Sequence, residues 1–523
     1  MVARAFAFIA AVGFVAVGAA PIASGMEGSP RLTCDRTGAI YAVGEEAEFV
    51  LKGVEGEFSV EVVNYYGEKV IERKESGAKG KPAGISIATE GLPRLGWHKI
   101  SVRVSGKSAT STFAVVAPVK ERISAEESPF GAIVSARLKA EQVADFAHSL
   151  KLAGVRWVDI DIPLAQVNPS EGQYIWDASR AGDRPQNFDA FVHALHKEGL
   201  CLMLKFLGQA DWISRRKEKD VHAYWDAELN LSPPSDPKKW AEVVGAVVKR
   251  YGRICQVWEV GNEPEGHGYF KGTDEEYMEY LDTTAKAIRA AQPKATVVAA
   301  SMYNGGGVLL RLVKRPELYD IMSVHYLTGP AGDISPLSHY QEALDAAGIK
   351  KVIWNTESRG SGGDEPPKTG ETSHYRGKGA DNQSPTKAYV RNFALGIPRV
   401  FVFSWNVGEG RQVVNPDLTP RWATVEYRTM TDQLERAKFV REVNLGKDLC
   451  GFQFQRGKEK VLVAWSDVAG YDPAIEFRSE RELVVTDIMG NSRAIGVADG
   501  AVTVTVSYQP VFISGLPADF KVK

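Results

Sequence analysis

The sequence predicts a multidomain chain, a (β/α)8 TIM barrel between an N-terminal and a C-terminal β-sandwich. Three observations support this. Short apolar runs alternate with helical periodicity eight times between about residues 128 and 435. Short alternating strands with Gly-rich turns fill about 30 to 118, and strands without helical period return from about 436 to 523. At 523 residues the chain is also too long for one hydrophobic core. The boundaries expected are a signal peptide over 1–25, an Ig-like sandwich over 26–118, the barrel over 119–435 and a second sandwich over 436–523.

The leading segment has the composition of an export signal. Arg4 precedes the uncharged run Ala5 to Ala20, and small residues follow as far as Gly25. That run is short for a membrane span and is followed by a cleavage-type composition, so the mature protein is expected outside the cytoplasm, secreted or periplasmic. An uncleaved anchor is the alternative. No later run of about 18 uncharged apolar residues occurs, so no integral span is expected after cleavage.

Composition excludes some partners. With 63 basic and 65 acidic residues the formal net charge is −2, which favours neither nucleic acid nor an anionic membrane surface. The four cysteines, Cys34, Cys201, Cys255 and Cys450, have no metal-type spacing. Cys201 and Cys255 lie in apolar strand-like runs and are expected to be buried thiols. The 11 tryptophans are somewhat many; most belong to cores, but such rings also serve as sugar platforms.

In the first sandwich the strands include Glu48 to Leu51, Phe58 to Val62, Trp97 to Val104 and Ser111 to Val116, with Pro118 opening a linker. In the barrel the first strand is Phe130 to Val134. Residues 139–153 then carry Val143, Phe146, Ala147 and Leu150 on one helical face, closed by Gly154. The remaining strands are Val155 to Ile160, Leu200 to Phe206, Ile254 to Val260, Thr296 to Ala300, Ile321 to His325, Lys351 to Asn355 and Arg399 to Trp405. Thr273 and Glu276 form a capping box that opens the helix ending near Ala291. A doubly wound sheet would carry a phosphate-binding glycine loop after its first strand, and neither GxGxxG nor a P-loop occurs there. In the last domain the strands include Gly451 to Gln455, Lys460 to Trp465, Glu482 to Val485 and Ala501 to Val506. The Gly-, Pro- and Ser-rich segment 358–384 is expected as a long loop on the face where barrel enzymes place their sites.

Catalytic groups of such barrels sit where strands end. Strand four ends Trp258-Glu259-Val260-Gly261-Asn262-Glu263-Pro264, and strand seven ends Trp354-Asn355-Thr356-Glu357-Ser358. Alone, an Asn-Glu-Pro or a Thr-Glu is an ordinary loop feature. Together, Glu263 and Glu357 bring two carboxylates towards one cleft, as glycosidic cleavage requires: an anion on one face of an oxocarbenium-like centre and a proton donor at the leaving oxygen.

With WEVGNEPEG at 258–266, WNTES at 354–358, GVRWVDIDIPLAQVNPSEGQYIWD at 154–177 and VFVFSWN at 400–406, the chain resembles the clan A glycoside hydrolases, most closely family 39 and its relatives. The strands VLVAWS at 461–466 and VTDIMGNSRAI at 485–495 resemble those that follow such barrels. The resemblance implies retaining hydrolysis of O-glycosidic bonds by double displacement, on a β-linked oligo- or polysaccharide. Glu357 is then the nucleophile and Glu263 the acid/base, with the carboxyls about 5–5.5 Å apart. It further implies that Asn262 holds the 2-hydroxyl, that His325 and Tyr326 line the subsite beside Glu357, and that Trp405 stacks on sugar. Trp212, Tyr303 and Asn304 stand at other strand ends as weaker candidates. Neither metal nor organic cofactor is required.

One departure bears on mechanism. Clan members often carry an arginine in strand two beside the nucleophile, and the matching position here is Asp159, with Arg156 an alternative one turn of the pattern away. A carboxylate there raises the Glu357 pKa, unless Lys205 neutralises it. Glu259 shares strand parity with Glu263 and is expected as a buried, paired structural group, while Glu265 faces solvent or the site's surroundings. Asp159 is the main support for the alternative function, a catalytically inactive barrel that binds carbohydrate.

Overall fold

The computed structural model describes residues 29–517 except 119–121, 178–186, 217–229, 267, 327–336, 361, 363–383 and 408–411, together with 520 and 522. At its centre eight parallel strands close into a barrel in chain order. They are β1 (Phe130–Ile133), β2 (Trp157–Asp161), β3 (Cys201–Phe206), β4 (Cys255–Val260), β5 (Thr296–Met302), β6 (Ile321–His325), β7 (Val352–Ser358) and β8 (Val400–Val402). All eight expected strands are present, with ends moved by one to three residues. The register pairs Lys205 with Glu259 and His325 with Glu357, which carries the strand-end side chains to one rim.

Helices on the outside include Val143–Leu152, Phe188–Lys197, Pro237–Tyr251, Asp274–Ala291, Pro385–Ala394 and Trp422–Leu434. Their starts follow local chemistry. The Asp236 carboxylate accepts from the Lys238 and Lys239 amides at 2.8 and 3.2 Å. Thr273 and Glu276 cap one another's backbone at 3.2 and 2.8 Å, the expected reciprocal box. Gly154 stops the first helix at φ +86°.

The barrel interior is layered. Towards the N-terminal ends of the strands, Trp157, Met203, Val257, Val298, Trp354 and Phe401 form an apolar floor. The Arg399 guanidinium closes it from below, 3.9 and 4.4 Å from the Trp157 and Trp354 rings. Phe401 fills the space left by Gly131, where a Cβ would lie 2.4 Å from its ring. Truncating Phe401 to alanine is therefore expected to cost about 3–5 kcal/mol through lost burial and an uncollapsed cavity. Urea unfolding measures this, and a loss below about 1 kcal/mol would show the floor to be deformable. Above the floor, the second layer is polar and charged.

The flanking β-structures have cores of their own. The N-terminal one combines Arg31–Cys34, Glu46–Lys52 and Ala83–Ala88 in one sheet with a five-stranded sheet of Ile40–Ala42, Lys107–Val116, Gly96–Val104, Gly56–Asn64 and Lys69–Gly77. Phe49, Val60, Val62, Ile100 and Phe113 lie between them. The C-terminal one has a six-stranded antiparallel sheet, including Leu449–Arg456 and Glu459–Ser466, facing the pair Ala474–Arg478 and Ala501–Thr505. The N-terminal sandwich touches both other parts. Trp97 Nε1 donates to the Pro420 carbonyl at 2.9 Å, and Tyr66 Oη donates to Asp487 at 2.5 Å.

All four cysteines are free thiols. Cys255 is buried as expected, whereas Cys201 opens β3 at the barrel end and is only half-buried. No helix among the described residues is long and apolar enough to cross a membrane. The segment expected as a signal peptide, 1–25, lies outside the described residues.

Candidate active site

The two carboxylates meet at the C-terminal rim. After β4, Gly261 turns at φ +84° and Glu263 itself adopts φ +42°, with its amide donating to the Ser301 carbonyl at 3.1 Å. A non-glycine residue with positive φ needs its surroundings to hold it there. Tyr326, just past β6, does the same at φ +53°, and its amide donates to the Glu357 carbonyl at 2.7 Å. The Tyr326 hydroxyl then donates to Glu357 Oε2 at 2.7 Å. Fully buried His325 stands between the carboxylates, its Nδ1 2.8 Å from Glu263 Oε1 and 3.5 Å from Glu357 Oε2. One oxygen of each carboxylate and one ring nitrogen all lie within 4.8 Å of one another.

The layer beneath carries a lysine rather than an arginine. Lys205 Nζ lies 2.9 Å from Asp159 Oδ2, 3.0 Å from Glu259 Oε2 and 3.4 Å from Asn262 Oδ1. Ser301 Oγ donates to the other Glu259 oxygen at 2.6 Å. Glu259 is thus the buried, paired group expected of it. Lys205 does stand against Asp159, and Arg156 plays no part: its guanidinium is engaged by Glu435 at 3.2 Å and by the Ile123 carbonyl at 2.9 Å.

Electrostatics separate the two glutamates. Burial raises the Glu263 pKa to about 7, with the Lys205 charge opposing it. Burial also raises Glu357, but there His325, Lys205 and the Tyr326 hydroxyl pull down while Glu263 pushes up. The expected upward push of Asp159 on Glu357 is not among these causes. Asp159 is held well above the usual carboxylate range by burial, whereas Glu259 is held below it by Lys205 in spite of its own burial. The His325 pKa is lowered, chiefly by burial, with Glu357 opposing.

Other candidates fare differently. Trp405 is only 1% exposed and meets Tyr427 edge-on at 5.5 Å, inside the core. The expectation of an open stacking face is corrected: its ring is enclosed by the helix Trp422–Leu434, which sequence pattern does not reveal. Glu265, partly exposed, belongs to the site's surroundings as expected: its Oε1 accepts from the amides of Tyr303, Asn304 and Gly305 at 2.7, 3.0 and 3.3 Å and so fixes the loop after β5. Trp212 Nε1 donates to the Asn168 carbonyl at 3.0 Å. The Arg359 guanidinium sits 5.7 Å from the Tyr326 ring, while His374 and Arg376 lie outside the described residues. Ser301 was missed by the sequence reading, since nothing marks one serine in a strand as a partner of a carboxylate across the barrel.

Glu263, His325 and Glu357 have the spacing to hold a divalent ion, and are the metal-type group found among the described residues. Two carboxylates about an imidazole, one held by a tyrosine hydroxyl, can equally donate a proton and present an anion to one bound centre. The Tyr326 hydroxyl serves the second role. Tyr326→Phe is expected to lower kcat/KM on an aryl glycoside by about tenfold to a hundredfold, the worth of a hydrogen bond to a buried charge, and to shift the acidic limb of the pH profile upward. An unchanged rate would mean that the bond does not persist in the bound state.

Residues 202–348 match the model of glycosyl hydrolases family 39. The matched stretch spans β3 to the helix after β6, with Asn262, Glu263, His325 and Tyr326, and ends before Glu357. Over that stretch the chain is similar to family 39. A β-xylosidase from Geobacillus stearothermophilus is 27% identical over 135 residues, 23% of this chain and 26% of that enzyme, so the match spans about a quarter of the relative's length. A family 39 glycoside hydrolase from Bacteroides cellulosilyticus superposes over 92% of this chain and 99% of its own, at TM-score 0.68 and 16% identity. A family 39 β-xylosidase from Caulobacter crescentus covers 76% of this chain and 98% of its own, at TM-score 0.51 and 15% identity. At these identities the structural likeness speaks to fold alone, and at 92% coverage the first of them takes in this chain's flanking β-structures as well as its barrel.

Proposed function

We propose that the protein is a retaining glycosidase that hydrolyses O-glycosyl compounds, with a β-linked oligo- or polysaccharide as substrate. The observation that carries this is the carboxylate pair. Oxygens of Glu263 and Glu357 lie within 4.8 Å of one another, on the retaining side of the separations that divide the two stereochemical outcomes, about 5–5.5 Å against about 6.5–9.5 Å.

Glu357 attacks the anomeric carbon, forming a glycosyl ester as the bond to the leaving oxygen breaks. Glu263, protonated up to about pH 7, gives that oxygen its proton. As a carboxylate it then takes a proton from the water that hydrolyses the ester. His325 and Tyr326 keep the carboxylates apart in charge and place, and Asn262 donates to the sugar hydroxyl beside the reacting carbon. The relatives named as β-xylosidases make β-xylosides the first substrates to try. Export is part of the same reading, on the composition of residues 1–25, and the N-terminal sequence of the mature protein tests it. The inactive-barrel alternative loses its main support, because Asp159 is not among the groups that raise the Glu357 pKa.

The test uses the chain without residues 1–25 and its Glu357→Ala variant, on aryl β-glycosides and plant and algal polysaccharides, with the product anomer read by proton NMR. Turnover with retention, lost in the variant, is expected. Saturable polysaccharide binding without turnover on any substrate would favour the inactive barrel.

A further inference from the structure

We propose that Lys205 is a positioning residue for this reaction: it fixes the Asn262 amide so that Nδ2, and not Oδ1, faces the bound sugar. The inference rests on the glycosidase reading and adds a residue to it. An ammonium group has three N–H donors and no acceptor. Lys205 Nζ has three oxygens around it, from Asp159 at 2.9 Å, Glu259 at 3.0 Å and Asn262 at 3.4 Å. The lysine is 3% exposed and enclosed by β2, β3 and β4, so its place in the barrel is set by the strands. Because it can only donate, it accepts one of the two orientations of the Asn262 amide, the one with Oδ1 turned down to Nζ. Nδ2 is then the outward group, and no described side chain or carbonyl accepts from it.

An asparagine amide left to itself can turn over and present an acceptor where a donor is needed. Beside the reacting carbon that distinction matters, because a donor there strengthens its bond to the neighbouring hydroxyl as positive charge develops on the sugar. The two acids below have a matching role. Glu259, tied by Ser301 at 2.6 Å, balances the lysine charge, while Asp159 lies against Nζ at 2.9 Å from the other side. Lys205 therefore does not touch substrate and acts through Asn262.

Removing the lysine alone would leave a buried anion without its partner and threaten the fold. The informative comparison is Glu259→Gln, which keeps Lys205, against Lys205→Met/Glu259→Gln, which removes one cation and one anion together. Both are assayed on 4-nitrophenyl β-D-xyloside and its 2-deoxy counterpart. The preference in kcat/KM for the 2-hydroxy substrate is expected to fall by about tenfold or more in the double variant relative to Glu259→Gln. The 2-deoxy rate should change much less. Equal loss on both substrates would mean a merely structural lysine and would overturn the proposal. Should the double variant not fold, Lys205→Gln/Glu259→Gln is read instead, since an amide accepts as well as donates and no longer selects one orientation of Asn262, and the same drop is expected. Crystal structures of the folded variants give a readout free of turnover. An Asn262 amide that moves when Lys205 is replaced supports the positioning role, and one that stays overturns it. A wild type that turns over neither substrate would instead count against the glycosidase reading itself.

Discussion

Glu357→Gln is expected to reduce kcat on an aryl β-glycoside by about 10,000-fold or more, the scale seen when a covalent nucleophile is removed. The amide is nearly isosteric and can still receive the Tyr326 hydroxyl that now bonds Oε2 at 2.7 Å. It cannot attack the anomeric carbon, and it offers no negative charge to the oxocarbenium-like centre. Since Glu357 is 5% exposed and raised in pKa mainly by burial, neutralising it does not strain the fold. The urea midpoint should be equal to or above that of the wild type. The smaller Glu357→Ala variant leaves space beside the sugar, so added azide should restore part of the rate and yield a glycosyl azide of inverted configuration. A rate within tenfold of the wild type for Glu357→Gln would require another nucleophile.

Glu263→Gln is expected to lower kcat/KM by about 100- to 10,000-fold on substrates with poor leaving groups, the usual worth of a general acid, and far less with 2,4-dinitrophenolate, which departs without a proton. The pH profile gives the sign. Glu263 must carry its proton, and burial places that pKa at about 7. In the wild type, activity should therefore fall as pH rises through about 7. Glu357 must be ionised, and its raised pKa places the acidic limb above the ordinary carboxylate range. In Glu263→Gln the alkaline limb should vanish and the acidic limb should remain. An alkaline limb that survives would assign it to another group, of which buried Glu426, also raised to about 7 and bonded to the Thr386 amide at 3.2 Å, is a candidate by pKa alone.

The barrel was legible because each strand is a short apolar run bounded by a helix with its own start and stop. Thr273, Glu276 and Gly154 work within a few residues of chain, where local chemistry is decisive. Glu263 and Glu357 were legible for a related reason: once strands are counted, their ends share one rim. The pairing of Lys205 with Asp159 could be framed but not placed. Asp159 is level with Met203 in the register, and Lys205 with Asp161; only the inward parity of both side chains and the slant of the strands bring them to 2.9 Å. Trp405 was misjudged for the opposite reason. A strand-end tryptophan reads the same whether its ring is open to the cleft or covered, and the covering Tyr427 lies on the next helix along the chain, whose packing over the ring no local pattern shows. The left-handed turns at Glu263 and Tyr326 were also invisible, because glycine is the usual sign of such a turn and neither residue is one.

The central claim is that Glu357 bonds covalently to the sugar while Glu263 moves the proton. A 2-deoxy-2-fluoro glycoside with a dinitrophenyl leaving group tests it most directly, because fluorine slows the second step more than the departure of so good a leaving group slows the first. Intact mass followed by peptide mapping should find one fluoroglycosyl group per chain, on the peptide that contains Glu357. A label on Glu263 or elsewhere, or rapid turnover without any adduct and with inverted product, would contradict the account.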